Sequence, residues 1–465
     1  MKNVLLGILL LGAFLRFHTL GRQSLWVDEA YTWGVVVNTT WLTVWKSLLV
    51  VSDVSPLSYV ITKLCAPLLG THEFGLRLPS AMTGWLAIAA TYRLGRVMFG
   101  QTVGVLASAF IAASPFAVWY SQDARSYGLY LLLSAGVLGG FWRAERGRGW
   151  GMFILASMAM YLTQYVSALF VYAQVGYILT QLRRQPLLFR KWALAQMVAV
   201  IPVVGWVLGF LSLRQPITAN TWIPRVTLLT PLNTIWNFVS GDVEQWAWMT
   251  ALGAVVMIGL MGWGARPFNR TAQLLWWWLI LPLVTGWVFS LRLPAYIDRF
   301  FEPALLSVAL LTAAGLSRLP MALKTVSAVL LALVMLSGTF RLYSDPVFEK
   351  ENWRAATRQL EADGLRVGLP DAEALLGIAP YMSSGLRPRL IFARDVSDLN
   401  RQWAEGPFVL VLRSPHDSAH ALSKSTPFDP LSEGPVFFKL WRMAHSEVPL
   451  KVDRFTGLAL VAIGR

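Results

Sequence analysis

A chain of 465 residues that is 55% hydrophobic and only 14% charged is too apolar for a soluble globular protein, where about a quarter of residues are charged. Its single cysteine, Cys65, excludes a disulfide scaffold, and its composition excludes disorder and collagen. The net charge of +15 would suggest a nucleic-acid partner, but basicity has meaning only once its location along the chain is known.

Continuous apolar runs predict membrane-spanning helices at Val4–Phe17, Ala81–Phe99, Val103–Trp119, Tyr127–Trp142, Met152–Thr163, Val166–Leu182, Trp192–Leu211, Ala247–Gly264, Leu274–Leu291, Phe301–Leu316 and Val326–Phe340. The runs do not alternate, which disfavours a membrane β-barrel. The first follows a lone Lys2 and lacks a small-residue cleavage site, so it reads as an uncleaved anchor. Residues 151–182 read as two short helices broken near Thr163-Gln164. The stretch 56–70, with Lys63 and two prolines, reads as lying in the interface.

Eleven crossings with the N-terminus inside put fourteen basic residues on short inner connections, against the single acid Glu145. They are Lys2, Arg93, Arg96, Arg143, Arg146, Arg148, Arg183, Arg184, Arg190, Lys191, Arg266, Arg270, Arg318 and Lys324. The basicity is therefore a topology signal, and nucleic acid drops out as a partner. The outer face receives the long loops 18–80 and 212–246 and nine carboxylates: Asp28, Glu29, Asp53, Glu73, Asp123, Asp242, Glu244, Asp298 and Glu302. For Asp242 and Glu244, solvation of a loop is an equal alternative to function.

Fifteen of the 25 carboxylates lie beyond residue 340, where composition becomes ordinary. Strands at Leu365–Leu369, Arg389–Ala393 and Phe408–Arg413, with helices at Asn352–Ala362 and Ala372–Met382, suggest a small α/β domain. The expected fold is a multi-span α-helical membrane domain, residues 1–340, followed by an extracytoplasmic α/β domain, residues 341–465.

Three outer constellations could carry chemistry. Ser24-Leu-Trp-Val-Asp28-Glu29-Ala-Tyr31 sets two adjacent carboxylates beside Trp26 and Tyr31 at the membrane surface. A carboxylate there can serve as general base on a hydroxyl, or the pair can simply favour a helix N-terminus. Tyr120-Ser121-Gln122-Asp123-Ala-Arg125-Ser126-Tyr127 packs polar groups into a short turn, where Asp123 and Arg125 could equally pair with each other. Lys63, Arg77 and Arg299 are outer cations. Arginine matches phosphate bidentately, and snorkelling to lipid headgroups is the alternative.

Metal signatures are poor. His18, His72, His416, His420 and His445 are scattered, the pair four apart falling in a Pro/Asp/Ser-rich loop. A divalent ion on Asp or Glu oxygens stays open. No Walker-type glycine loop is present, and charges within spans are too scarce for an ion pathway.

The segments LRFHTLGRQSLWVDEAYT, SDVSPLSYVITKL, THEFGLRLPSAMTGWLAIAATYRLGRVMFG, SPFAVWYSQDARSYGLYLLLS and YIDRFFEPALLSVALLTAAG agree in order and side with one family. Over residues 10–316 the chain resembles the bacterial branch of the GT-C membrane glycosyltransferases, related to protein O-mannosyltransferases and the lipid A aminoarabinose transferase. The resemblance implies transfer of a sugar from a polyprenyl-phosphate donor to an acceptor hydroxyl on the extracytoplasmic side of a bacterial cytoplasmic membrane, generally with inversion. The acceptor would be a protein, lipid or polysaccharide.

It also implies roles for particular residues. Asp28 matches the family's general base, with Glu29 its neighbour in acceptor or metal binding, and Asp123 matches the second acidic motif. Lys63, Arg77 and Arg299 would hold the donor phosphate, while Trp26, Tyr31, Tyr59, Arg125 and Tyr127 would contact acceptor or sugar. No cofactor is obligatory, although Mg or Mn on Asp28 or Asp123 stays open. The chain departs from the family at Val54-Ser55-Pro56, often His-Pro-Pro, and at Asp298, often Pro. The rival reading is a non-catalytic membrane protein, a lipid-sugar flippase or an assembly scaffold, which would need a polar path through the bundle.

Overall fold

Every apolar run folds as helix in the computed structural model, which describes residues 2–50, 56–212, 223–241, 247–413, 435–456 and 458–463. Asp53, Val54, Ser55, Asp242, Glu244, His416 and His420 lie outside the described residues. In chain order the helices of the apolar part are α1 (Lys2–Phe17), α2 (Val27–Asn38), α3 (Val44–Val50), α4 (Leu57–Leu69), α5 (Glu73–Phe99), α6 (Gln101–Ala113), α7 (Pro115–Ser121) and α8 (Tyr127–Ala144). They continue with α9 (Trp150–Tyr161), α10 (Ala168–Gln181), α11 (Pro186–Ser212), α12 (Thr230–Ser240), α13 (Ala247–Gly264), α14 (Arg270–Ser290), α15 (Ala304–Arg318) and α16 (Met321–Ser344). The break expected near Thr163-Gln164 is present, closed by a 3₁₀ turn at Tyr165–Ser167. Both long loops, 18–80 and 212–246, hold helices among their described residues: α2, α3 and α4 in the first, α12 in the second.

Two compact units emerge, and they do not divide the chain at one point. One comprises Met1–His18, Thr39–Leu69 and Arg77–Tyr343; the other comprises Thr19–Asn38, Gly70–Leu76 and Ser344–Arg465.

In the first unit, α15 is buried on every side from Ala304 to Leu316, as expected of a helix that is apolar all round. Helix α13 crosses it at near-backbone contact. A Cβ on Gly264 would meet Leu311 O at 2.1 Å, and one on Gly315 would meet Leu260 O at 2.0 Å. Small residues of this kind let helices associate without a solvent-driven hydrophobic force. On α11, by contrast, Leu194, Met197, Ile201 and Leu208 are each more than half exposed, a face that water would not tolerate and lipid does. The protein is accordingly a multi-pass membrane protein.

Among the described residues, three helices are long and apolar enough to cross a bilayer: Pro186–Gly209, Arg270–Ser290 and Met321–Ser344. The bent pair Gln101–Ala113 and Pro115–Ser121 makes a fourth. Others are apolar but short, such as α9 with 12 residues, against the roughly 20 a straight crossing takes. Eleven crossings therefore stand as the sequence's expectation.

The run Val103–Trp119, expected as one helix, is instead broken by 60° at Ser114. Pro115 has no N–H, so it cannot continue the ladder, and Ser114 caps the new helix by accepting from Ala117 N at 3.2 Å. The carbonyls freed at the break find other donors. Arg16, fully buried, reaches Ile111 O at 2.9 Å and Ala112 O at 3.2 Å, and Thr339 Oγ1 reaches Ala113 O at 3.1 Å. Backbone groups in an apolar medium must be satisfied internally, which accounts for an arginine inside the bundle.

The second unit is built on a sheet of order β2-β1-β3-β5-β4, where β1 is Arg366–Leu369, β2 Leu390–Phe392, β3 Phe408–Arg413, β4 Leu450–Phe455 and β5 Leu458–Ile463. Strand β1 runs parallel to both β2 and β3, while β5 pairs antiparallel with β3 and β4. Its helices are α17 (Trp353–Asp363), α18 (Ala372–Ile378), α19 (Val396–Glu405) and α20 (Val436–Ala444). Side chains of β3 alternate between two cores. Val409 and Val411 pack with Trp353 and Ile378, whereas Phe408, Leu410 and Leu412 pack with Phe438 and Trp441. The three expected strands and two expected helices are present; β4, β5, α19 and α20 were not anticipated. Strand β4 carries charge at Lys451, Asp453 and Arg454 and ends the sheet, which obscures it as an apolar signal.

Candidate functional site

In the membrane unit, the turn between α7 and α8 is fixed from both sides. The two N–H groups of Gln122 Nε2 lie within reach of Leu15 O at 3.2 Å, Arg16 O at 3.2 Å and His18 O at 3.0 Å, carbonyls at the end of α1 and just past it. Gly128 lets α8 begin against α5, since a Cβ there would lie 2.2 Å from Ser80 O. Asp123 is 1% exposed in this turn, and Arg125 donates to the Tyr59 hydroxyl at 2.6 Å while its guanidinium lies 5.9 Å from that ring. Tyr59 and Arg125, both singled out from the sequence, therefore meet.

Arg299 lies not on a helix but in the 3₁₀ turn Asp298–Phe301 ahead of α15, with its guanidinium 5.9 Å from the Tyr127 ring. Tyr127 packs edge-on against Tyr120, their centroids 4.9 Å apart. The Tyr120 hydroxyl feels the charges of Arg299, Asp298 and Asp123, so these groups share one neighbourhood. Lys63 Nζ donates to Thr39 O at 2.7 Å and sits 5.5 Å from the Trp41 ring. Arg77, Arg299 and Lys63 are 2%, 5% and 8% exposed, so none of the three snorkels outward: their charges are held inside protein.

Asp298, where the family often has proline, has a structural reason to be acidic. Thr234 Oγ1 donates to its Oδ1 at 2.7 Å, Asn237 donates to Oδ2, and Thr234 also meets the Tyr296 hydroxyl at 2.9 Å. Both carboxylate oxygens are thus bound to the polar face of α12, which pins the backbone immediately before Arg299. Sequence reasoning missed Thr234 and Asn237, and their three-residue spacing within a loop of unknown fold was the only available signal.

The other unit carries Trp26, Asp28, Glu29 and Tyr31. Trp26 is buried, Asp28 half-buried in the first turn of α2, and Tyr31 packs against the core around Trp353. Glu29 is fully buried, 3.2 Å from Lys350 Nζ, which sequence reasoning also missed. That ion pair ties Glu29 into the fold; Asp28, beside it, is the carboxylate with access to solvent.

Near this helix, Arg354 and Tyr381 donate to Glu73, Arg354 Nε at 3.1 Å and the Tyr381 hydroxyl at 2.7 Å. Burial alone would push the Glu73 carboxyl up, but these hydrogen bonds outweigh it and hold it below the usual carboxylate range. Such a group contributes stability above its unfolded pKa of about 4.3, lost as pH falls through the folded value. Glu73→Gln should therefore cost about 1–3 kcal/mol at neutral pH. The difference from wild type should shrink below about pH 4, read as thermal midpoints in detergent across a pH series.

Among the described residues, no group of three or more His, Cys, Asp or Glu side chains converges as a metal would require. Asp28 and Asp123 remain single candidate donors.

Residues 53–208 match the family model for dolichyl-phosphate-mannose-protein mannosyltransferases. No curated protein matches the sequence. Among solved structures, ArnT from Cupriavidus metallidurans bound to undecaprenyl phosphate is 15% identical with a TM-score of 0.63, covering 99% of this chain and 98% of that one. Its apo form gives 0.64 at 14% identity over the same shares. The oligosaccharyltransferase AglB from Archaeoglobus fulgidus, in complex with an inhibitory peptide and a dolichol-phosphate, is 12% identical with a TM-score of 0.51, covering 88% of this chain and 69% of that one. At such identities the likeness is one of fold; with the family match over residues 53–208, it agrees with the resemblance carried by the five sequence segments.

Proposed function

We propose that this protein is a glycosyltransferase that moves a sugar from a polyprenyl-phosphate donor to an acceptor hydroxyl on the extracytoplasmic side of a bacterial cytoplasmic membrane, with inversion. Residues 1–340 would form its membrane-embedded catalytic part, and residues 341–465 an extracytoplasmic domain. The observation that carries the reading is the buried Arg299 over Tyr127, sharing its surroundings with Asp123 just outside the spans. A cation held inside protein beside aromatic rings suits an anionic group that arrives already attached to lipid.

The chemistry asks little of the protein. The acceptor oxygen attacks the anomeric carbon while Asp28 takes its proton. The bond from that carbon to the phosphate oxygen breaks, and its electron pair leaves with polyprenyl phosphate. Lys63, Arg77 and Arg299 would meet the growing charge on phosphate, a preorganised stabilisation worth most where water is excluded. Trp26, Tyr31, Tyr59, Arg125 and Tyr127 would hold sugar or acceptor, and Asp123 would orient the acceptor. No step runs through a metal, although Mg or Mn on Asp28 or Asp123 is compatible with the donor chemistry.

The test is to incubate the purified protein with a panel of radiolabelled polyprenyl-phosphate sugars and a cell-envelope acceptor fraction. Label should appear on an acceptor with matching release of polyprenyl phosphate. A folded, monodisperse protein that releases none from any donor overturns the proposal.

A further inference from the structure

We infer that the C-terminal domain holds the helix that carries Asp28, with Lys350 and Glu351 as its positioning residues. Helix α2 has 12 residues, too few to be stable alone in water. Trp26 also precedes it, where Ser, Thr, Asp or Asn would supply a side-chain N-cap. N–H groups in its first turn, and Leu25 N just before it, need acceptors. Trp26 N donates to Glu29 Oε2 at 3.4 Å, the return half of a capping box. Two others are answered from the C-terminal domain: Val27 N by Glu351 Oε2 at 3.3 Å and Leu25 N by the Tyr381 hydroxyl at 2.7 Å. The Ser24 hydroxyl donates to the Glu351 carbonyl.

Glu351 is itself held in place. Trp353 Nε1 donates to its Oε2 at 2.7 Å, and Arg413 Nη1 lies 3.6 Å from its Oε1. A carboxylate at a helix N-terminus satisfies the macrodipole as well as the N–H, and this one is nearly inaccessible to water. Lys350 then fixes the same first turn through Glu29. Asp28 lies between Val27 and Glu29, the two residues so tethered, and the far end of α2 packs by Gly34 against Leu376 of α18. Position and rotation of the helix, and hence of the Asp28 carboxylate, are set by residues about 320 positions later in the chain.

The inference rests on the proposed function only for the role of Asp28; the tether stands on geometry. A displacement of about 1 Å costs on the order of 100-fold in rate when groups must be aligned. Glu351→Gln and Lys350→Met should therefore lower kcat by about 10- to 100-fold with the donor KM within about twofold of wild type. Lys350→Arg should restore most of kcat. Hydrogen exchange on the full-length protein in detergent should show the 25–31 amides exchanging faster in Glu351→Gln while α15 keeps its protection.

Unchanged protection of 25–31 in Glu351→Gln overturns the inference, as does faster exchange with kcat unaltered. If the wild type transfers no sugar, the functional reading falls instead, and exchange still reports the tether by itself.

Discussion

Asp28→Asn should all but abolish sugar transfer, lowering kcat by about 100- to 10,000-fold while leaving the fold intact. Asparagine has the shape of aspartate and its polarity, but it cannot accept the acceptor's proton. A hydroxyl is a poor nucleophile until that proton is taken, and general bases contribute about 100- to 10,000-fold. The adjoining Glu29 cannot stand in. It is fully buried, with its carboxylate 3.2 Å from the Lys350 ammonium. Recruiting it would mean breaking a buried ion pair, at a cost of about 3–5 kcal/mol. Loss of charge in the first turn of α2 should cost no more than about 1 kcal/mol of stability through the helix dipole. Thermal midpoints within a few degrees of wild type would confirm that the loss is chemical. A variant that keeps a tenth of wild-type turnover would remove Asp28 as the base and turn attention to Asp123.

The helices were legible because a bilayer imposes long apolar runs, and no tertiary contact can hide them. The break at Ser114 was written in the sequence as Ser-Pro, yet its meaning depended on Arg16, a hundred residues away, supplying donors to the freed carbonyls. In the sequence Arg16 is only a charge near the end of the first apolar run, Val4–Phe17. The segment around Asp28 was legible as a constellation of acids and aromatics; its support was not. Glu351 reaches Val27 across 324 residues, and nothing in Trp26-Val27-Asp28 announces that a distant carboxylate will cap it. The same holds for Asp298, visible as a departure from the family pattern but explicable only once α12 brings Thr234 and Asn237 to its two oxygens. Local chemistry shows in sequence; the contacts that aim it do not. The domain boundary illustrates this again, since residues 19–38 and 70–76 join the C-terminal unit although composition changes only near residue 340.

Arg299→Ala should lower kcat/KM for the lipid donor by about 100- to 1,000-fold, with much of the loss in kcat. If the guanidinium merely bound phosphate in the ground state, KM alone would rise; charge that grows on the leaving oxygen makes the interaction strongest in the transition state. Arg299→Lys tests the geometry of that charge. Lysine keeps the cation but loses the planar fork that can face both a phosphate and the Tyr127 ring, so it should recover only part of the loss. Product inhibition provides a second measure, since polyprenyl phosphate should inhibit the wild type more tightly than either variant. The arginine cannot be freely replaced from nearby, because the turn that bears it is pinned through Asp298 to α12 and its side chain is confined within protein. Equal inhibition of wild type and Arg299→Ala would place the phosphate elsewhere, leaving Lys63 and Arg77 as its only candidate partners among the three outer cations.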